Sequence, residues 1–162
     1  MNNLMKIGAT SLALLGMALA QSSKPQITLE GFLVRSSIKD GKTIESFERA
    51  NRAQPGEIVE YRLKAVNSGS AAISNLNVDL PVPRETAYLD GTASGPNNAT
   101  LLASFDAKRS FGQLPLKRKI IKDGKTNEEI VKANEFTNLR WAIKGAIPAG
   151  QSLEFKARVK VK

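Results

Sequence analysis

The sequence predicts an all-β fold, a sandwich of antiparallel sheets within a single domain. Several short segments alternate apolar and polar residues, which is typical of strands that bury one face and expose the other. Clusters of glycine, proline, asparagine and serine separate these segments, without the long helical crossovers that parallel βαβ units need. The alternating segments are residues 27–35, 58–66, 75–80, 139–143 and 153–161.

The last of these segments has the clearest pattern. Apolar residues stand at every second position from 153 to 161, and charged residues stand between them. Residues 147–150, Ile-Pro-Ala-Gly, precede the segment and predict a turn, because proline and glycine interrupt regular structure. The segment runs to the end of the sequence, so we expect a β domain with no anchor after it.

The first twenty residues predict a signal peptide. Lys6 gives a positive start, residues 7–20 are apolar or small, and Ala18-Leu19-Ala20 fits a cleavage site. A retained membrane anchor is the alternative, but this apolar stretch is shorter than the ~20 residues that a bilayer needs. We expect a mature chain without a transmembrane segment, exported to the periplasm, cell surface or extracellular space. Loss of Lys6 lowers its net charge from +9 to +8.

One six-residue sequence, Ile-Lys-Asp-Gly-Lys-Thr, occurs twice, at residues 38–43 and 121–126. An Asp-Gly pair between strand-like residues favours a two-residue hairpin turn with positive φ angles. The repeat is either a pair of similar hairpins or a duplicated binding loop, and the first interpretation is favoured because Asp-Gly turns are common. Residues 127–135, after the second copy, favour a short helical turn.

The composition argues against an enzyme. The chain has no histidine and no cysteine, which removes the usual general base near neutral pH and common nucleophiles and metal ligands. Gly41-Lys42-Thr43 resembles the end of a phosphate-binding loop, but Ser36 stands where that loop needs a glycine. The aspartates are scattered, without the spacing of a calcium loop. The sequence therefore predicts no catalytic residue, no cofactor and no metal.

Positive charge is concentrated in residues 108–125, where seven basic residues stand against Asp123 alone and give a net charge of +6. This run predicts a surface for an anionic envelope polymer, lipid headgroups or, less favoured for an exported protein, nucleic acid. The alternative is a solvated hairpin whose charges keep an edge strand from pairing with other chains. The candidate partner-binding residues are Lys108, Arg109, Lys117, Arg118, Lys119, Lys122 and Lys125.

Four short stretches resemble a bacterial conserved-repeat family, domain of unknown function 11 (DUF11). They are Pro55-Gly56-Glu57-Ile58-Val59-Glu60-Tyr61, Val66-Asn67-Ser68-Gly69, Asn77-Val78-Asp79-Leu80-Pro81-Val82-Pro83 and Tyr88-Leu89-Asp90-Gly91. Trp141 and the turn at 147–150 resemble the closing section of that family. Two features differ from the family's usual pattern. Glu57 replaces the usual aspartate, and this sequence has a single copy of the domain, whereas the family often forms tandem arrays.

The resemblance implies an immunoglobulin-like β-sandwich over residues 55–162, with residues 21–54 as a leading strand and hairpin. It also implies an exported or cell-surface protein, and the family has no known catalytic residues. We therefore expect a non-enzymatic structural or binding component of the cell envelope, with an envelope protein or an anionic envelope polymer as its partner. The alternative is a homo-oligomer, a surface-layer or fibre subunit that associates by strand pairing through residues 27–35 and 153–161.

Overall fold

The computed structural model describes residues 25–162, and this part of the chain is all-β, as predicted. The predicted signal peptide, residues 1–20, lies outside the described residues. One 3-10 turn, Ala133–Glu135, interrupts the succession of strands. The strands are β1 (Gln26–Lys39), β2 (Lys42–Arg49), β3 (Ile58–Val66), β4 (Ile73–Ser74), β5 (Asn77–Pro81), β6 (Thr86–Tyr88), β7 (Ala99–Ser104), β8 (Gly112–Gln113), β9 (Lys117–Lys122), β10 (Lys125–Ile130), β11 (Asn138–Ile143), β12 (Ala146–Ile147) and β13 (Ser152–Val161).

Nine of these strands form two antiparallel sheets, an arrangement consistent with a β-sandwich. The first sheet has the order β2-β1-β3-β13-β6 and the second has the order β5-β11-β7-β8. The remaining strands form two pairs, β9 with β10 and β4 with β12. The predicted strands at 58–66, 139–143 and 153–161 are confirmed as β3, β11 and β13, each to within one residue at either end.

The hydrophobic core contains side chains from both large sheets. Leu63 and Phe155 of the first sheet belong to the same buried cluster as Leu139 and Trp141 of the second. The rings of Trp141 and Phe155 have centroids 5.4 Å apart, a distance typical of favourable aromatic pairs. The burial of alternate residues in β3, β11 and β13 agrees with the period of two in the sequence.

The leading segment is part of the first sheet. β1 pairs with the whole length of β3, from Gln26 opposite Val66 to Val34 opposite Ile58, and then continues past the start of β3. Beyond that point it pairs with β2 alone, so this part of the hairpin has no further strand beside it. Leu33 of β1 is buried, whereas every residue of β2 is exposed.

Both Asp-Gly pairs form the predicted hairpin turns. Asp40 and Asp123 each have a φ of 51°, and Gly41 and Gly124 have φ values of 72° and 71°. Positive φ at both central residues defines a type I′ turn, whose twist matches that of the adjoining strands. The first turn joins β1 to β2, and the second joins β9 to β10.

The helical turn expected over residues 127–135 is confirmed only at its end. Residues 127–130 belong to β10, where pairing with β9 prevails over any local helical preference. The 3-10 turn Ala133–Glu135 follows. Next to it, the ring of Phe136 stacks on that of Tyr88 with centroids 6.0 Å apart, which fixes this segment against β6.

Asn67 connects two turns where β3 ends. Its buried side-chain nitrogen donates hydrogen bonds to the carbonyl oxygens of Ala71 and Ile147, at 2.8 and 2.9 Å. Its side-chain oxygen accepts a hydrogen bond from the N–H of Gly69 at 3.1 Å. The amide thus satisfies three backbone groups, two from the turn after β3 and one from β12, which precedes β13.

Replacing Asn67 by alanine should lower the free energy of unfolding by about 2–3 kcal/mol, because three backbone groups lose their partners in a buried environment. Urea unfolding measures the change. The control is Asn98→Ala, since Asn98 is exposed and its side chain donates one hydrogen bond, to the Lys144 carbonyl. That loss should be below about 1 kcal/mol, and equal losses in the two variants would contradict this role for Asn67.

Candidate binding surface

The structure divides the seven predicted binding residues between two elements. Lys108 and Arg109 lie in the loop between β7 and β8, and the other five lie in the β9–β10 hairpin. All are exposed except Arg118, which is half-buried. The basic run of the sequence is therefore two separate groups of charges, each with its own acidic neighbours.

Asp106 organises the loop that carries the first group. Its carboxylate accepts hydrogen bonds from the hydroxyl and the backbone N–H of Ser110, at 2.6 and 3.0 Å. These two hydrogen bonds are the main reason that the pKa of Asp106 is lowered to about 2. Lys108 of the same loop lies 3.6 Å from Asp79 on β5. Only Arg109 of this group is without an ion pair to the described residues.

Two of the basic side chains in the hairpin form ion pairs with carboxylates. The Lys117 ammonium lies 2.9 Å from Glu128, and the Arg118 guanidinium contacts Glu129 at 2.9 Å and Glu135 at 2.5 Å. The hydrogen bond from Lys117 lowers the pKa of Glu128, and that from Arg118 lowers the pKa of Glu135. These glutamates follow the basic run in sequence but lie beside it in space, which a charge count over residues 108–125 misses.

Three lysines toward the tip of the hairpin lack such partners. Lys119, Lys122 and Lys125 form no ion pair with any residue between 25 and 162. Lys122 and Lys125 stand directly opposite one another, on either side of the Asp-Gly turn. Like charges at opposed positions destabilise a hairpin, so a bound anion at this tip would relieve a repulsion that the fold itself leaves in place.

A second site, which the sequence did not indicate, lies on the outer face of the first sheet. Glu60 belongs to the polar face of β3, yet its side chain is only 2 % exposed. The Nε atoms of Arg62 and Arg158 donate hydrogen bonds to its two carboxylate oxygens, at 2.7 and 2.8 Å. Arg158 also donates to both oxygens of Glu45 on β2, at 2.8 and 2.7 Å. These four side chains, hereafter the Glu60 network, connect β2 to β3 and β13.

Two phenylalanines pack against the Glu60 network. The Arg62 guanidinium lies 4.5 Å from the ring centroids of Phe32 and of Phe47, and the Arg158 guanidinium lies 5.9 Å from that of Phe47. An arginine over an aromatic ring at these distances gains a cation–π attraction. Since Phe47 belongs to β2, its ring and the ion pairs hold the same hairpin against the sheet.

An open cleft of about 750 Å³ lies beside the Glu60 network, between Phe47 and residues 94–95. Lys64, Glu154 and Lys156 contribute to its lining. Because basic and acidic side chains mix along it, the cleft lacks the single sign of charge that attracts an ion of opposite sign. The hairpin lysines are therefore the better candidate for binding an anionic partner.

Glu60 in this cleft does not have the properties of a general base. Burial alone would raise its pKa, but the hydrogen bonds and charges of Arg62 and Arg158 lower the pKa below its ordinary value. Both carboxylate oxygens are already engaged, whereas a catalytic base near neutral pH needs a raised pKa and a free oxygen. Among residues 25–162, no group of three or more metal-ligating side chains could hold a metal ion.

Comparison with known proteins gives no relative from which a site could be transferred. No family model, curated protein or solved structure matches the chain. Within residues 25–162, no helix has the length and apolar character needed to cross a membrane. The function therefore has to be argued from the geometry and charge of the surfaces described above.

Replacing Glu60 by glutamine should lower the free energy of unfolding at pH 7 by about 2–3 kcal/mol, because the hydrogen bonds from two arginines lose their charged acceptor. The variant should also change the pH dependence. Since the folded pKa of Glu60 lies below its ordinary value of 4.5, its stabilisation is present above that value and is lost as the pH falls through the folded pKa. Urea unfolding between pH 7 and pH 3 should show a flatter decline in the variant.

The matched control for Glu60→Gln is Glu154→Gln. Glu154 is exposed and forms no ion pair with the described residues, so its replacement removes the same charge without breaking a buried contact. We expect a change within about 0.5 kcal/mol. Similar losses in both variants would show that the Glu60 network does not stabilise the fold.

Proposed function

We propose that this chain is a non-enzymatic, exported component of the cell envelope that binds an anionic partner through the β9–β10 hairpin. The observation that carries this proposal is the group of lysines at 119, 122 and 125, which form no ion pair with the described residues, although Lys119 stands opposite Glu128. Their neighbours Lys117 and Arg118 are matched by carboxylates, so the charge left toward the tip is available to a partner. The strand β10 beside them is exposed throughout, which leaves the hairpin accessible.

The proposal includes an immunoglobulin-like sandwich of the DUF11 type. The two antiparallel sheets support it, as does the path of the chain, which passes from β3 in the first sheet to β5 in the second and returns to β6 in the first. Export rests on the signal-peptide pattern of residues 1–20. Outside the cytoplasm, anionic envelope polymers and lipid headgroups are the abundant partners for a basic surface, and nucleic acid is the less favoured one.

Two observations support a non-enzymatic function: the residue types that the chain lacks, and the ion pairs that engage Glu60. Without histidine or cysteine, general-base or nucleophilic chemistry would depend on carboxylates, lysines or hydroxyls. Glu60, the most buried carboxylate in the open cleft, is held ionised by two arginines. A charged carboxylate with both oxygens occupied contributes to structure and is not suited to proton transfer.

Replacing Lys119, Lys122 and Lys125 together by glutamine should weaken binding to an anionic polymer such as polyphosphate by about tenfold or more in low salt. The loss should shrink as salt is added, because exposed charges are screened within about 10 Å at 0.1 M ionic strength. Titration of labelled polyphosphate at several salt concentrations measures both effects.

The matched control replaces Lys64, Lys144 and Lys156 by glutamine. These lysines are exposed, form no ion pair with the described residues and lie outside the hairpin. The control changes the net charge by the same amount, so it should retain most of the affinity. Equal weakening in the two triple variants would mean that the partner responds to total charge, and the hairpin would lose its assigned role.

A second candidate function, self-association by strand pairing, is favoured by the free edge of β2. This strand pairs with β1 alone, and its eight residues are all exposed. Residues 153–161 have a less accessible edge for pairing with another chain, because β13 pairs along β3 and also with β6. Sedimentation velocity over a wide range of protein concentration tests this candidate, and a monomer at every concentration would reject it. It ranks second because charged side chains such as Lys42 and Glu48 on β2 oppose edge-to-edge pairing.

A further inference from the structure

Two isoleucines are the most exposed large apolar side chains in residues 25–162. Ile38 is 80 % exposed and Ile121 is 82 % exposed. They occupy the same position in the two copies of the Ile-Lys-Asp-Gly-Lys-Thr sequence. Neither side chain belongs to the buried core of the described residues. A matched pair of exposed apolar residues points to a contact outside the fold.

The two hairpin tips have the same arrangement of side chains. Lys39 stands opposite Lys42, and Lys122 stands opposite Lys125, directly beside the two turns. In each copy, the isoleucine comes one residue before the first of these lysines. Because neighbouring residues of a strand point to opposite faces, each tip presents an isoleucine on one face and two lysines on the other. Two lysines and the aspartate of the turn leave each tip with one net positive charge.

Both hairpins start at the same end of the two sheets. β1 continues past the point where β3 begins. In the second sheet, β5 ends on this side and its chain leads into β6, which starts there beside the end of β13. The β9–β10 hairpin is fastened at this end by Arg118, which contacts Glu135 of the 3-10 turn packed against β6.

We propose that these two tips form a paired docking surface for a bilayer that contains anionic lipids. This inference rests on the proposed binding of an anionic partner and names its class. The lysine pairs contact lipid phosphates, while Ile38 and Ile121 enter the boundary between headgroups and acyl chains. Basic residues near an anionic leaflet and apolar side chains within its interface both favour binding. A soluble anionic polymer would use the lysines alone and would leave both isoleucines in water.

In this proposal the two tips, whose hairpins start at the same end of the sheets, act together. Once the first tip has bound, the second is held close to the same surface, so its binding becomes an intramolecular event. One tip, with a single isoleucine and one net positive charge, gives a weak contact. Loss of either tip should therefore weaken vesicle binding far more than the loss of one surface charge would.

Co-sedimentation of the purified protein with vesicles of phosphatidylcholine and phosphatidylglycerol tests this docking. Ile38→Ser combined with Ile121→Ser should weaken vesicle binding by about 100-fold, on the order of tenfold for each isoleucine returned to water. The control combines Ile27→Ser with Leu29→Ser, which removes apolar side chains that are 45 % and 48 % exposed near the opposite end of β1. It should bind as the wild type does, and thermal melting verifies that both variants fold.

Binding of soluble polyphosphate, measured in parallel, separates this inference from the proposed function. We expect wild type and the double tip variant to bind polyphosphate equally while only the wild type binds vesicles tightly. Equal vesicle binding by the two proteins would overturn the docking surface. A wild-type protein that binds polyphosphate but not vesicles would overturn docking and leave the proposed function standing, and binding to neither probe would overturn both.

Discussion

The side-chain contact between β2 and the outer face of the first sheet depends on one buried carboxylate, Glu60, which adds to the backbone pairing of β1 with β2 and β3. β1 and β2 extend beyond the core, and β2 buries none of its residues, so apolar packing anchors this hairpin mainly through Leu33. Arg35 of β1 contacts Glu57 next to β3, and the Glu60 network anchors β2, because Arg158 contacts Glu60 on the sheet and Glu45 on the hairpin together. A buried carboxylate without its arginines would be left with an uncompensated charge. Of the two arginines, only Arg158 also contacts β2, so it is the member that links the hairpin to Glu60.

Arginine and lysine have different roles in this protein. Nine of the eleven ion pairs among residues 25–162 use arginine, and only Lys108 and Lys117 provide the others. The second hairpin follows the same rule, since Arg118 fastens it to Glu135. The planar guanidinium suits such fixed contacts with carboxylates, whereas the flexible lysine ammonium stays hydrated. The lysines at the hairpin tips are thus left free for the partner that we propose.

Local sequence pattern predicts the strands with clear alternation and both Asp-Gly turns, but it misassigns residues 127–130, which belong to β10. The period of two locates β3 at residues 58–66, and the Asp-Gly pairs locate both type I′ turns, because these features depend on neighbours in the chain. Contacts between distant residues are not predictable in this way. The alternation in β3 places Glu60 on the polar face, and nothing local indicates that Arg158 reaches and buries it. The charge available on the basic run is overestimated for the same reason, because Glu135 lies outside it in sequence.

Amide hydrogen exchange in β2 tests most directly whether the Glu60 network holds the first hairpin. We expect slow exchange in the wild type at the β2 amides that pair with β1, because opening them requires the network to break. Arg158→Gln, which removes the shared arginine, should speed exchange in β2 by about tenfold or more relative to the amides of β11 in the other sheet. If β2 kept its protection in that variant, strand pairing with β1 alone would hold the hairpin, and the central role of the Glu60 network would be contradicted.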